Sequence, residues 1–415
     1  MSFLRGLVGV IGAGDDLASK GLHPERGDLS LPALTLDLAA FDKNAEAMFA
    51  YAKARNLLLA PHAKTPMSPE LSRRLADQGA WGLSVANLQQ AMVLLNSGFS
   101  RLLVANQIGG EVSGVRFGKL LAAHPEAEVI FFIDSIASAK AIVAAAKACG
   151  RTLPVLIEIG SGRAGARDEA AITALIDEVL AKDCLELSGI ACYEGAAAKA
   201  DPAETEAAIA ELCDLSLQAF AKIRKARPEA ELLLSAGGSS FFDLVVRHLL
   251  PAVEADGNAR MVLRSGAIFF HDHGVYERAL AQLDQRNGFE PVTGQKASEA
   301  FTPALRVWAE VLSRPEPDLL ICGMGMRDVS FDQDMPRPLA FYRNGNHLED
   351  GKGASVFKLN DQHAFLRVDP SHPAEVGDVV EFGISHPCTC IDRWRSILGR
   401  GPDGAILASF PTYFG

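Results

Sequence analysis

Several features are missing from this 415-residue sequence, and each absence removes a class of protein. No apolar run approaches the ~18–20 residues of a membrane-spanning helix. Basic residues do not dominate: 40 Lys and Arg stand against 51 Asp and Glu, a net charge of −11. That balance argues against nucleic acid or an anionic membrane surface as the main partner. There is no internal repeat and no low-complexity linker. The stretch 3–11 is apolar, but glycines interrupt it and no cleavage site follows, so it reads as structure and not as a signal peptide. Gly9-Val10-Ile11-Gly12-Ala13-Gly14 carries glycines in the wrong order for a dinucleotide loop and lacks the flanking strand and helix. The cysteines number seven, an odd count, and are scattered through apolar segments. Apart from Cys388 and Cys390 they read as buried thiols in a reducing, cytoplasmic compartment.

What remains is a globular chain with 48% hydrophobic and 22% charged residues, ample for a full core. At roughly 150 residues per domain the length allows two or three domains, and two is the better fit if one is a large α/β barrel. Eight short β-branched or leucine-rich runs, at 57–62, 81–85, 101–105, 129–134, 154–159, 188–193, 231–235 and 261–264, alternate with alanine-rich amphipathic stretches. The latter include 69–78, 88–97, 135–149, 169–181 and 202–226. Ser68, Asn87, Ser135, Asp168 and Asp201 precede them as candidate caps, with Pro69 and Pro202 at first helical positions. Alternation of this kind implies a parallel sheet, and eight units fit a closed (β/α)8 barrel over 39–276; an open doubly wound sheet is the alternative. Residues 277–300 hold no clear strand. Runs at 304–313, 318–322, 353–359, 364–368 and 378–383 then indicate a mostly β second domain, 277–415, completed by residues 1–38 through a strand at 33–37.

A barrel keeps its chemistry at the carboxyl ends of its strands. Here those ends carry His62 and Lys64, Ser84 and Asn87, Asn106 and Gln107, Asp134, Glu158 with Arg163, Tyr193-Glu194-Gly195, Ser235–Ser240, and Arg264-Ser265-Gly266. The seventh is a glycine-serine loop entering a helix. Small residues let backbone amides approach an anion there, so Ser235, Gly237 and Gly238, with Ser265 and Gly266 of the eighth, are the candidate phosphate grip. Lys64, in Pro61-His62-Ala63-Lys64-Thr65, would face that grip across the mouth. A desolvated lysine near a phosphate-bound aldehyde suggests a pyridoxal phosphate Schiff base.

A second constellation is His386-Pro387-Cys388-Thr389-Cys390. Imidazole and thiolate two residues apart in an extended segment point the same way and suit zinc; Cys390 rivals Cys388, and a buried thiol beside a turn histidine is the plainer alternative. Two protein ligands would leave open positions for water or substrate. His271-Asp272-His273 reads as a structural turn. His23, His124, His248, His347 and His372 lack companions and read as surface residues.

Together these pieces resemble the fold-type III pyridoxal phosphate enzymes, and within them the D-serine dehydratase / D-threonine aldolase group. The resemblance runs from Leu31 to Arg395. It rests on the lysine motif, Ala105-Asn106-Gln107, Gly160-Ser161-Gly162-Arg163-Ala164-Gly165, Tyr193-Glu194-Gly195, Ser235–Ser240, Asn360-Asp361-Gln362-His363 and His386-Pro387-Cys388. It implies that Lys64 carries the cofactor with Arg163 near the ring oxygen, that His62 tunes the lysine or contacts substrate, and that His386 and Cys388 hold Zn2+. It also implies a homodimer with active sites at the interface. Arg264 is similar to the arginine that alanine racemases set against the pyridine nitrogen, with Tyr193 the competing partner. The His-x-Cys pair is nearer the dehydratases, so the implied activity is elimination of water and ammonia from a D-β-hydroxy amino acid. Retro-aldol cleavage, metal-independent racemisation and a non-enzymatic carrier are the alternatives. Two departures bear on the substrate: Pro66-Met67 follows Thr65 where relatives continue with histidine and lysine, and Ala196 follows Gly195 where they often have histidine.

Overall fold

The computed structural model describes Leu7 and residues 16–414. The glycine run 9–14, and the stretch 3–11 apart from Leu7, lie outside the described residues. Strand β1 (Ala33–Asp37) comes first. Eight parallel strands follow: β2 (Leu58–Leu59), β3 (Leu83–Val85), β4 (Arg101–Val104), β5 (Glu128–Ile133), β6 (Leu153–Ile159), β7 (Leu185–Cys192), β8 (Leu232–Ala236) and β9 (Ala259–Leu263). They lie in the order β2-β9-β8-β7-β6-β5-β4-β3. Strand β2 meets β3 through a parallel bridge between His62 and Ser84, flanked by bonds from Ala63 N to Ser84 O (2.9 Å) and from Trp81 N to Leu59 O (2.8 Å). The sheet therefore closes into a barrel and the doubly wound alternative is excluded.

Both faces of this sheet are buried, which is why its strands are apolar almost throughout. Ala60, Leu103, Ile130, Phe132, Leu156, Ala191, Leu233 and Val262 form the inner cluster, while their neighbours pack outward against the helices. Asn87, Ser135, Asp168 and Asp201 accept from backbone amides of their helices as their side-chain chemistry leads one to expect. Ser68 does not: its hydroxyl donates to Glu70.

The second sheet is antiparallel for the most part. It holds β10 (Leu305–Glu316), β11 (Leu319–Cys322), β12 (Arg337–Arg343), β13 (Asn346–Asp350), β14 (Ser355–Leu359), β15 (Ala364–Arg367), β16 (Val379–Gly383), β17 (Ser396–Arg400) and β18 (Ile406–Pro411). Strand β1 lies in its middle, between β10 and β17, and the buried Trp308 indole donates to Thr35 across that pairing (2.9 Å). The β12–β13 hairpin and the last two strands go beyond the five expected runs. Residues 277–300 belong mainly to helices, the longest being Val275–Gln285. No helix among the described residues is long and apolar enough to cross a membrane.

Two of the histidines expected at the surface are buried, which corrects that reading. His23 is held by Glu25 (3.1 Å), and the ring of His372 packs edge-on against Phe341.

Candidate active site

The carboxyl ends of the strands surround a cavity of about 190 Å³ lined by His62, Lys64, Ala86, Ala105, Asn106, Arg163, Tyr193, Gly238 and Arg264. Six of the nine, all but Ala86, Ala105 and Asn106, were assigned a site role from the sequence. A larger groove, about 850 Å³, lies near the amino ends of β2 and β3 beside Asp42, Lys53 and Trp81, away from this chemistry. Lys64 follows the His62–Ser84 bridge, and its amide approaches His62 Nδ1 (3.5 Å). Burial, then the charges of Lys64 and Arg264, hold the His62 imidazole well below its usual pKa. His62 is thus a neutral neighbour of the lysine.

Arg264 projects into the barrel over the Phe132 ring (5.2 Å). One guanidinium nitrogen donates to Ser235 Oγ (2.7 Å) and another to the Cys192 carbonyl (2.8 Å), so Ser235 faces the arginine. The Arg163 guanidinium lies over the Tyr193 ring (4.8 Å) and reaches within 4.0 Å of Glu158. Glu158 also accepts from Gln107; burial pushes its carboxyl pKa up against that bond and the nearby arginines. Other polar strand ends serve the scaffold. Ser84 donates to the Ala60 carbonyl (2.7 Å), and Asp134 accepts from Ser138 and from the Gly165 amide (3.2 Å each).

At the glycine-serine loop, the Gly237 and Gly238 amides both donate to the buried carboxylate of Glu194 (3.1 and 2.5 Å). Ser265 donates to the Gly238 carbonyl (2.9 Å), and the Gly266 amide donates to Ser239 Oγ (3.2 Å). The following amides, of Ser239 and Ser240, have no acceptor among the described residues, nor does that of Ala267. Ser239 and Ser240 immediately precede helix Phe242–Asp256, whose amino end favours negative charge. The Tyr276 hydroxyl lies near Ser239, Tyr193 and Cys388; burial first, then Cys388, raises its pKa well above the ordinary value. Sequence reasoning missed Tyr276, which no motif marks.

The β domain of this same chain supplies the other wall. His386 is extended, as expected, but Pro387–Ile391 is a helical turn instead of a continued strand, with Pro387 at its first position. Cys388 Sγ lies 3.4 Å from the Thr65 hydroxyl, next to Lys64. The His386 and Cys388 side chains lie close enough to favour each other's charged forms. Burial lowers the His386 pKa, but Cys388 and the bond to Asp332 outweigh it and take it up to about 9. Burial likewise raises the Cys388 thiol, yet His386, the bond from Thr65 and the charge of Lys64 leave it below the ordinary value. Cys390 is buried elsewhere, against the Asp328 carbonyl, and burial pushes it up to about 12. Asp332, also missed, accepts from His386 Nδ1 (2.7 Å) and from Thr389 (2.7 Å), which leaves Nε2 as the ring's second donor atom. Its loop, 54 residues upstream of His386, carries no pattern that could have revealed it. His271-Asp272-His273 is a turn: Asp272 accepts from the Gly274 and Tyr276 amides at the start of helix Val275–Gln285.

The family model for the "Alanine racemase, N-terminal domain" matches residues 36–249, just over half of the chain. The chain belongs to the fold-type III pyridoxal phosphate family. A second model, "Putative serine dehydratase domain", matches residues 304–399 of this fold-type III chain. D-threonine aldolase from Arthrobacter is 25% identical over 358 residues, 86% of this chain and 85% of its own. Among solved structures, D-threonine aldolase from Filomicrobium marinum superposes with a TM-score of 0.74 at 23% identity, covering 93% of this chain and 95% of its own. D-threo-3-hydroxyaspartate dehydratase from Delftia does so with 0.72 at 21%, covering 95% and 100%. That dehydratase is also known as alanine variants at a histidine and at a cysteine two positions further on, the latter in a metal-free form.

The residues present fit both groups that the family implies. For pyridoxal phosphate there is an amine at the cavity, an aromatic wall, and unoccupied amides at a helix start. The backbone approaches closely at Gly266, where an added Cβ would lie 2.6 Å from the His62 carbonyl. For a metal, the donors are an imidazole and a low-pKa thiol lying close together, with a carboxylate on the far ring nitrogen. Among the described residues no group of three or more His, Cys, Asp or Glu side chains could hold a metal, so protein would supply two ligands only.

Proposed function

We propose that this protein is a pyridoxal phosphate- and metal-dependent lyase that cleaves a D-β-hydroxy amino acid between Cα and Cβ, giving glycine and an aldehyde. The observation that carries the reading is the Thr65–Cys388 contact (3.4 Å), which joins the two constellations into one site. Lys64 would hold the cofactor, with Arg163, Tyr193 and Arg264 around the ring and the amides of Ser239, Ser240 and Ala267 at the phosphate; Ser265 and Gly266 shape that cradle. Pyridoxal phosphate, when bound, supplies an electron sink for the pair left on Cα. His386 and Cys388 would hold a divalent cation, with zinc favoured by the donor set, and such a cation makes a hydroxyl more acidic. Metal there competes with the proton that His386 and Cys388 otherwise share.

The chain's own groups then divide the work. Lys64 Nζ would take the β-hydroxyl proton as the Cα–Cβ bond breaks and return one to Cα, so the proton count closes. Arg163, half exposed at the mouth, would bind the substrate carboxylate. His62 stays neutral and orients the lysine turn. Asp332 keeps the His386 ring in one tautomer.

Elimination to a keto acid is the second reading. The shared His-x-Cys spacing with the Delftia dehydratase favours it. Against it, hydroxide must leave with acid assistance, and the neutral His62, Pro66 and Ala196 offer no proton, so the metal alone would have to supply it. A homodimer accompanies the proposal: Phe331 and Met335, near Asp332 in sequence and 41% and 42% exposed, are apolar surface that a second copy would cover.

Incubation of the PLP- and Zn2+-loaded protein with D-threonine tests the proposal. Glycine and acetaldehyde in equal amounts are expected; 2-oxobutyrate and ammonia would establish elimination instead. L-allo-threonine, the Cα epimer, formed in the presence of chelator would establish racemisation. No turnover of D-threonine, D-serine or D-3-hydroxyaspartate would overturn the lyase reading altogether.

A further inference from the structure

Glu194 is a buried acid at the mouth that the mechanism above leaves without a task. It follows Tyr193 at the end of β7 and is 1% exposed. No ion pair to it is present among the described residues. Its two carboxylate oxygens accept instead from the consecutive amides of Gly237 (3.1 Å) and Gly238 (2.5 Å), in the loop after β8. Those backbone donors compensate the burial of a charge.

The glycines are fitted to this carboxylate. Gly237 has φ +86°, a left-handed conformation that side chains disfavour. A Cβ on Gly238 would press on Tyr193 (3.1 Å) and on Glu194 itself (3.2 Å). The small residues that the sequence assigns to an incoming anion thus admit, in the fold, an anion of the chain's own. The amides left open are the next ones along, at the amino end of helix Phe242–Asp256, together with Ala267.

We propose that Glu194 is a positioning residue for the phosphate end of the site: by clamping the Gly237 and Gly238 amides it turns those of Ser239 and Ser240, with Ala267, toward the cofactor's phosphate. The inference rests on the cofactor reading above. A pinned loop presents its donors ready aligned, so ordering is not charged against phosphate binding. The carboxylate also bars the phosphate from the two glycine amides.

The test compares pyridoxal phosphate with pyridoxal, which lacks the phosphate, by absorbance titration of the full apo chain. In Glu194→Ala, pyridoxal phosphate is expected to bind at least tenfold more weakly, with pyridoxal unchanged within about twofold. Glu194→Gln keeps the shape and one acceptor, so a loss of about three- to fivefold is expected; it also carries the test if the alanine variant does not fold. Unchanged or tighter pyridoxal phosphate binding would overturn the inference, the latter by making Glu194 a competitor of the phosphate. An equal loss for both ligands would overturn it too, because the effect would not be specific to phosphate. Failure of the unmodified protein to bind pyridoxal phosphate would instead remove the cofactor reading itself.

Discussion

The two ends of the site are built on different principles. The proposed phosphate end is made of backbone: amides of Ser239, Ser240 and Ala267 at strand-to-helix turns, which Glu194 from the neighbouring strand would steady. The proposed metal end is made of side chains: His386 and Cys388 flanked by Thr65, Asp332 and Thr389, drawn from the barrel and from two parts of the β domain. A backbone cradle survives most single substitutions, because every residue brings an amide. A side-chain constellation depends on each member's identity and on the docking of one domain against another. The difference predicts where single changes do harm.

Lys64 is the exception on the barrel side, since its amine is unique there. Lys64→Ala is expected to abolish turnover, by at least about 10³-fold, together with any visible chromophore that borohydride fixes to the chain. Retention of that chromophore would place the covalent attachment elsewhere and blur the contrast.

At the metal end, Cys388→Ala should lower turnover at least about 100-fold and metal stoichiometry to near zero, while the chromophore stays. Asp332→Ala should act on the same observable more mildly. Loss of an outer carboxylate from a ligating histidine costs roughly 10–100-fold in metal affinity, read by competition with a chromophoric chelator. If Asp332→Ala altered cofactor absorbance and left metal binding intact, the two ends would not be separable.

The junction between the domains gives a pH test. Burial lowers the His271 pKa to about 4. The unfolded chain takes up this proton near pH 6.5 and the folded chain only near 4, so stability is complete above 6.5 and falls as pH drops between those values. The contribution is about 3 kcal/mol at most. His271 has φ +47°, which asparagine tolerates, so His271→Asn should flatten this part of the denaturation profile without breaking the turn. An unchanged slope would assign the acid sensitivity to other groups.

The smallest effect concerns helix starts on the barrel. Asp168→Ala removes a real cap, Asp168 to the Ala171 amide (2.8 Å), and should cost about 1 kcal/mol in denaturant unfolding. Ser68→Ala should cost less, because Ser68 caps nothing with its side chain. Equal losses would contradict that distinction.

The barrel was legible in the sequence because its rules are local. A strand buried on both faces must be apolar, and a helix start needs an oxygen. Among the barrel helices outside the stretches named from the sequence is Glu111–Ala122, which carries Gly114 and Gly118. Glycine weakens a helix judged alone, yet here a Cβ at Gly114 would lie 1.9 Å from the Ala141 carbonyl of the adjacent helix, so only glycine permits the contact. The β domain was read less fully, although the β12–β13 hairpin turns on Asn344-Gly345, both at positive φ, which is a local hairpin signal. Strands β17 and β18 pair with each other nearby; among the pairings of these four strands, only those of β17 with β1 and of β12 with β16 join distant segments.

The same division holds at the site. Lys64, Arg163, Tyr193 and Arg264 could be named from the chain because strand ends converge wherever a barrel closes. That His386 and Cys388 meet Thr65, that Asp332 backs His386, and that Glu194 and not an outside anion takes the Gly237 and Gly238 amides were decided by tertiary structure. Residue type and spacing specify which groups are available; only the packing of β domain on barrel, and of β7 beside β8, brings groups tens to hundreds of residues apart within hydrogen-bonding distance.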